Sequence, residues 1–239
     1  MLKKKPAVLC VMILAVAAFV TGQQNDGDRE MSVEESYLQE SVELMVIREA
    51  SQAGSRDQKM VALNYIGEAI GRGNKGEEIR QALEYLSMEG VMNKARENNR
   101  IVNNFPDVRR QAAKYLGEVG TPEAKNTLIR IIAADTEPMV LQEAVKSLAK
   151  IGINDNDETL NAIAWTFTRF DVTNPDNLLA LSTVDAILTL AEKNGGIKDP
   201  NAIRTLIKIS DGPYIKPVQE KARYAMNELR KYNAQSQNR

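Results

Sequence analysis

Asp107 to Gly120 reads D-V-R-R-Q-A-A-K-Y-L-G-E-V-G, and Val140 to Gly152 reads V-L-Q-E-A-V-K-S-L-A-K-I-G. Laid over one another, Val108, Ala112, Ala113, Leu116, Val119 and Gly120 fall on Val140, Ala144, Val145, Leu148, Ile151 and Gly152 at a constant offset of 32. Apolar residues spaced 4, 4 and 3 apart lie on one side of an α-helix. The small alanine at the second position lets a neighbouring helix come close. A comb that recurs along the chain marks a tandem array, in which no unit buries its stripe alone.

The comb returns as Val218, Ala222, Met226 and Leu229, as Ala62, Ile66 and Ala69, and more loosely as Ala186, Ile187, Leu190 and Gly195. Tyr65-Ile66-Gly67-Glu68 mirrors Tyr115-Leu116-Gly117-Glu118. A second helix type alternates with the first. Pro122-Glu123-Ala124 leads into Thr127 to Ile131, and Pro200-Asn201-Ala202 leads into Thr205 to Ile209, offset by 78. Proline suits a first helical turn, where its missing N–H costs nothing. Glu77 to Ser87 and Glu158 to Phe170 supply two more such helices, the latter with Leu160, Ala164 and Phe167 aligned.

The marker alanines 62, 112, 144, 186 and 222 are 50, 32, 42 and 36 residues apart, around the periods of two-helix repeats. The longest gap holds Val91 to Phe105, rich in Asn, Lys and Arg, which reads as an inserted loop or a helix extension. Ser32 with Glu35 makes a capping box for a helix reaching about Ala53. Its Val33, Tyr37, Leu38, Leu44, Met45 and Ile47 are expected to cover the open end of the stack. The expected fold is all-α: an α–α superhelix of about four to five helix pairs with an N-terminal capping helix.

Composition agrees and removes whole classes of chemistry. The 239 residues are 43% apolar but only 5% aromatic, a balance that favours helices packed through small aliphatic side chains over an aromatic-rich sheet. There is no histidine and one cysteine, Cys10, so imidazole or thiolate catalysis, Cys/His zinc sites and redox dithiols are excluded. Lys3 to Lys5 followed by the apolar run Ala7 to Val20 reads as an export signal cleaved after Gly22, with a retained, marginal anchor as the rival; a run of 14 is short of the roughly 20 residues a membrane span needs. Cys10 follows Leu9, with no small residue just before it, so it does not read as a lipid-attachment site. The remainder carries 28 basic against 32 acidic residues, a net charge of −4, and no polyanion footprint. The chain therefore divides into a signal, 1–22; a flexible mature N-terminus, 23–31; the repeat domain, 32–232; and a polar tail, 233–239. Export makes the periplasm the expected location and the extracellular space the alternative.

With its D-V-R-x-x-A-A-x-x-L-G-x-x-G-x-P-E-A core, the stretch Pro106 to Gly152 resembles HEAT-like repeats of the phycobilisome-lyase type, and the resemblance extends over roughly Asp57 to Lys231. It implies a HEAT-like solenoid whose default role is protein–protein interaction. Two alternatives follow from the same kinship: an enzyme or enzyme accessory of the lyase type, since some relatives help attach or detach chromophores, and a module gripping nucleic-acid backbones. The family also implies an Asp/Arg ladder between repeats. Asp107 and Arg109 match it, whereas Val140-Leu141 and Val218-Gln219 stand at the corresponding places further on.

Local motifs point to structure more than chemistry. Gly67, Gly71, Gly73 and Gly76 with Lys75 precede a helix, but without a G-x-x-x-x-G-K-[ST] string they read as the turn between paired helices. The run Asn154 to Glu158 lacks the central glycine and terminal glutamate of a calcium loop, and reads as helix capping. Trp165 aligns with Ile129 and Ile207, positions expected to pack on the neighbouring repeat; the alternative is a contact surface, and Arg169 is placed to stack on its ring in either case. Second helices of such stacks line the concave side. The partner-binding candidates are accordingly Gln81, Tyr85, Asn126, Arg130, Trp165, Arg169, Arg204 and Lys208, a mixed, partly basic groove suited to an acidic protein or peptide. No catalytic residue, metal or cofactor is expected, and no nucleic acid.

Overall fold

The computed structural model describes residues 32–173, 175–197 and 199–237. The export signal and the segment 23–31 lie outside the described residues. The chain divides into two compact units, Met1–Ser41 and Val42–Arg239, and all the repeats belong to the second.

The described residues hold ten α-helices: α1 (Val33–Gln52), α2 (Arg56–Gly71), α3 (Glu77–Ser87), α4 (Pro106–Val119), α5 (Pro122–Ala134), α6 (Pro138–Ile151), α7 (Glu158–Thr173), α8 (Asn177–Asn194), α9 (Pro200–Asp211) and α10 (Lys216–Gln237). In the second unit α2, α4, α6, α8 and α10 pack side by side as a row of first helices. The second helices α3, α5, α7 and α9 form a parallel row, and each packs on the first helix of the next repeat. The arrangement is an all-α, HEAT-like superhelix of four helix pairs closed by α10.

Each helix starts and stops where its chemistry dictates. Proline opens α4, α5, α6 and α9. Thr121 caps α5 by accepting from the Ala124 N–H at 3.2 Å, and Asp176 caps α8 through the Leu179 N–H at 2.6 Å. Gly120, Gly152 and Gly195 end α4, α6 and α8 at φ of 78°, 80° and 69°, the left-handed conformation glycine adopts without penalty. The capping box forms: Ser32 Oγ accepts from the Glu35 N–H at 3.2 Å and the Glu35 carboxylate accepts from the Ser32 N–H at 3.0 Å.

The marker residues Ala62, Ala112, Ala144, Ala186 and Ala222 are all buried, together with Leu63, Leu116, Leu148, Leu190 and Leu229. Repeats come close together at the mirrored glycines. A Cβ on Gly67 would stand 2.2 Å from the Tyr115 hydroxyl, and one on Gly117 would stand 2.7 Å from Ser147 Cβ.

Three expectations need correcting. The insertion is neither plain loop nor helix extension: β1 (Arg96–Glu97) and β2 (Arg100–Ile101) pair antiparallel around Asn98 and Asn99, whose φ of 47° and 66° suits the asparagine side chain. On α1 only part of the apolar set faces the core. Ile47 is buried and Leu44 half-buried, whereas Leu38 and Met45 are more than three-fifths exposed, because they fall on the opposite side of the helix. The segment read as a polar tail continues α10 as far as Gln237.

Buried charge ties the insertion to the repeats. Lys59 Nζ lies 3.1 Å from Glu89 Oε2 and donates to the Ser51 carbonyl at 2.8 Å, all three residues being buried. Asn103 Nδ2 donates to the other Glu89 oxygen at 2.7 Å. Arg109 makes a two-point contact with Asp135, at 2.6 and 3.2 Å, and donates to the Glu89 carbonyl at 3.0 Å. Asp107 instead pairs with Arg56 of the preceding repeat, Arg56 Nε donating at 2.8 Å. The Asp/Arg pair thus links α2, α4 and the α5–α6 turn; on α6 a neutral donor stands instead, Gln142 Nε2 donating to the Asp176 carboxylate at 3.2 Å.

Candidate functional site

The row of second helices carries all eight candidate residues, but in three separate places. α7 and α9 are held together by Asn201 Nδ2, which donates to Asn161 Oδ1 at 2.8 Å. Between them runs a groove of about 290 Å³ lined by Trp165 and Thr168 from α7 and by Arg204, Thr205 and Lys208 from α9, with Asn161 and Asn201 at one end. Trp165, Arg204 and Lys208, three of the eight candidates, therefore line one groove. Asn161, Thr168, Asn201 and Thr205 were missed, although each lies three or four residues from a named one and helical spacing alone would have added them.

Trp165 corrects the packing reading. It is 53% exposed, and Ile207, its counterpart on α9, is 45% exposed. The register was right, but the shared position lies at the rim of the contact between second helices, where a large ring projects past its neighbours. Arg169 does stack on it, with the guanidinium carbon 4.7 Å from the ring centroid and 4.8 Å from that of Phe170.

Arg169 is also turned inward. Its guanidinium donates to the carbonyls of Ala133, Ile132 and Asp135 at 2.6, 3.0 and 2.9 Å, closing the C-terminal end of α5. Burial pulls its pKa below the usual arginine value. Arg169 thereby holds the Trp165 ring in place.

Gln81 and Tyr85 lie elsewhere, in a cavity between α1 and α3. Gln81 Nε2 donates to Glu77 at 2.7 Å, and Tyr85 sits over the buried Lys59, whose Nζ is 5.2 Å from the ring centroid. Asn126 and Arg130 are exposed on α5 between the two hollows. Arg130 donates to Thr127 Oγ1 at 2.9 Å and stands 3.9 Å from Glu84, which interrupts any run of positive charge along the second helices.

The carboxylates with displaced pKa values do not resemble catalytic acids. The hydrogen bond and charge of Lys150 hold Glu118 low. Burial lifts Asp107, and the bond and charge of Arg56 outweigh it to leave the group low. Glu77 is lowered by its bonds to Arg80 and Gln81. Tyr214 is pushed well above the usual phenol value, first by burial and then by donating its hydroxyl proton to a hydrogen bond with Asp171. No group of three or more acidic, His or Cys side chains suited to a metal occurs among the described residues. The Asn154–Glu158 run folds into a single 3-10 turn, with Asn154 Oδ1 accepting from the Leu160 N–H at 3.0 Å.

Paired helices in two rows, interlocked from repeat to repeat, define a HEAT-like helical-repeat protein. A family model for HEAT repeats matches residues 99–172, from the hairpin turn through α7. Among solved structures, the complex of CpcE and CpcF of phycocyanin lyase from Nostoc sp. PCC7120 is similar over 88% of this chain and 69% of the solved chain, with a TM-score of 0.53 and 17% sequence identity. That likeness is one of fold. Comparison with curated proteins gives no match.

Proposed function

We propose that this protein is an exported, non-catalytic scaffold that holds an acidic protein or peptide against its second helices, with the α7–α9 groove as the centre of contact. The observation that carries the reading is the groove itself. A half-exposed tryptophan, locked by Arg169, stands beside Arg204 and Lys208, and no carboxylate lines the space among the described residues. A rigid aromatic flanked by cations is the usual composition of an interface hot spot for acidic partners. The α–α solenoid supports the role, because stacked repeats offer an extended surface. Export rests on residues 1–22; no helix among the described residues is long and apolar enough to cross a membrane. The lowered carboxylates favour a scaffold over acid–base chemistry, which needs an acid raised towards neutrality.

Photo-crosslinking in intact cells tests the proposal. A crosslinker at Thr168 should capture one reproducible partner, and Arg204→Glu with Lys208→Glu should abolish the product. A crosslinker at the exposed Lys146 on α6 serves as the control. Capture from position 146 alone would refute the choice of face. A second reading, an enzyme accessory, is favoured by the likeness to a lyase complex. It predicts that the captured partner is an enzyme or its substrate protein and that its modification fails when Trp165 is replaced.

A further inference from the structure

The α7–α9 groove does not use the cavity at the other end of the row. This cavity of about 270 Å³ lies between α1 and α3. That is below the roughly 300–1,000 Å³ of sites for drug-sized ligands, so its occupant is small. Leu44 and Ile47 of α1 and Ala82 of α3 give it an apolar floor. Its walls carry two opposite charges, Arg48 on α1 and Glu78 on α3, both exposed. Among the described residues neither makes an ion pair, although they line one hollow.

Two observations distinguish this hollow from an ordinary gap between helices. Ser51 lines it, is 2% exposed, and its Oγ has no hydrogen-bond partner among the described residues. Leaving a buried hydroxyl unpaired costs about 1–3 kcal/mol, a cost that a bound polar group removes. The walls are also built to hold their shape. Buried Lys59 grips the Ser51 carbonyl at 2.8 Å on one side and lies under the Tyr85 ring on the other, so one cation anchored to Glu89 fixes both α1 and α3 at the cavity.

We infer that this cavity binds a small zwitterion with an aliphatic body, that is, a free aliphatic amino acid or a dipeptide. Arg48 takes the carboxylate, Glu78 the ammonium group, the Leu44–Ile47–Ala82 floor the aliphatic side chain, and the Ser51 hydroxyl a polar atom of the ligand. The chemistry follows from the charge arrangement. A purely anionic ligand leaves Glu78 opposed, a purely cationic one leaves Arg48 opposed, and a neutral apolar one engages neither charge and leaves Ser51 unpaired.

The test is methyl NMR of the full mature chain, following Ile47, titrated with leucine and with alanyl-leucine, each also in N-acetylated and in C-amidated form. A saturable shift of the Ile47 methyl with at least one free zwitterion, weakened tenfold or more by blocking either end, is the expected result. Arg48→Gln and Glu78→Gln, both surface changes, should each weaken binding about tenfold. Ser51→Ala should weaken it several-fold while leaving the unfolding midpoint unchanged or higher, since the lost hydroxyl has no partner. No saturable shift at tens of millimolar, or blocked ligands binding as well as free ones, would overturn the inference. Neither outcome bears on the α7–α9 groove.

Discussion

Gly67 and Gly117 occupy equivalent places in successive repeats, yet a methyl group added at each has different consequences. At Gly117 the new atom meets Ser147 Cβ at 2.7 Å and its Cα at 3.0 Å, atoms that move only if α6 moves. Overpacking of this kind costs about 1–3 kcal/mol, against a gain of about 0.5–1 kcal/mol from replacing glycine within a helix. Gly117→Ala should therefore lower the urea midpoint. At Gly67 the obstacle is the hydroxyl end of Tyr115, which can swing aside, so Gly67→Ala should be neutral or slightly stabilising. The reverse order of midpoints would contradict this packing. Asp107 gives a second residue-level test. Its folded pKa lies below the unfolded value of about 3.9 because Arg56 outweighs burial. Between those two values the unfolded chain binds the proton more readily, so stability is present above the unfolded pKa and falls as pH drops through the folded one. Asp107→Asn should flatten the acid limb of a stability–pH curve; an unchanged limb would show that the pair contributes nothing there.

Among the elements, the insertion between α3 and α4 depends most on polar contacts. Arg109 and Asp135 are 1% and 2% exposed, and Arg109 also holds the Glu89 carbonyl and Asn104. Removing one partner strands the other charge in the interior, which costs about 3–5 kcal/mol. Arg109→Met should lose about that much in chemical denaturation and raise hydrogen exchange in the hairpin; a loss below 1 kcal/mol would mean that water reaches Asp135. Arg109 was legible as a ladder residue, but its buried partners were not. Lys59, Glu89 and Asn103 follow no period, and their burial results from an insertion folding back on the repeats, which is tertiary information. The regular elements were legible for the opposite reason. The 4-4-3 comb, the prolines at helix starts and the glycines at helix ends are local signals, and the prolines marked the starts of α5 at Pro122 and α9 at Pro200 to the residue. Helix α1 lies between the two cases: its capping box was readable, but the buried side of an end helix depends on a single neighbour, and Leu38 and Met45 point away from the core.

For the molecule as a whole, the repeat reading predicted two rows of helices and therefore which residues share a face. It did not predict which residues of the face converge, because that depends on how deeply α7 and α9 pack. Trp165, Arg204 and Lys208 meet in one groove, while Tyr85 and Arg130 lie apart from it. The export reading carries its own prediction. Sequencing the protein from the cell envelope should show a mature chain beginning at Gln23, and a full-length chain retaining Met1 in the cytoplasm would refute it. Trp165 is the one tryptophan in 239 residues, and it stands half in solvent on the third helix pair. Ultraviolet emission from this protein is consequently a local signal, reporting the occupancy of one groove and the melting of one pair. Where that optical trace departs from the loss of backbone ellipticity, the difference measures how far the array unravels piecemeal instead of all at once.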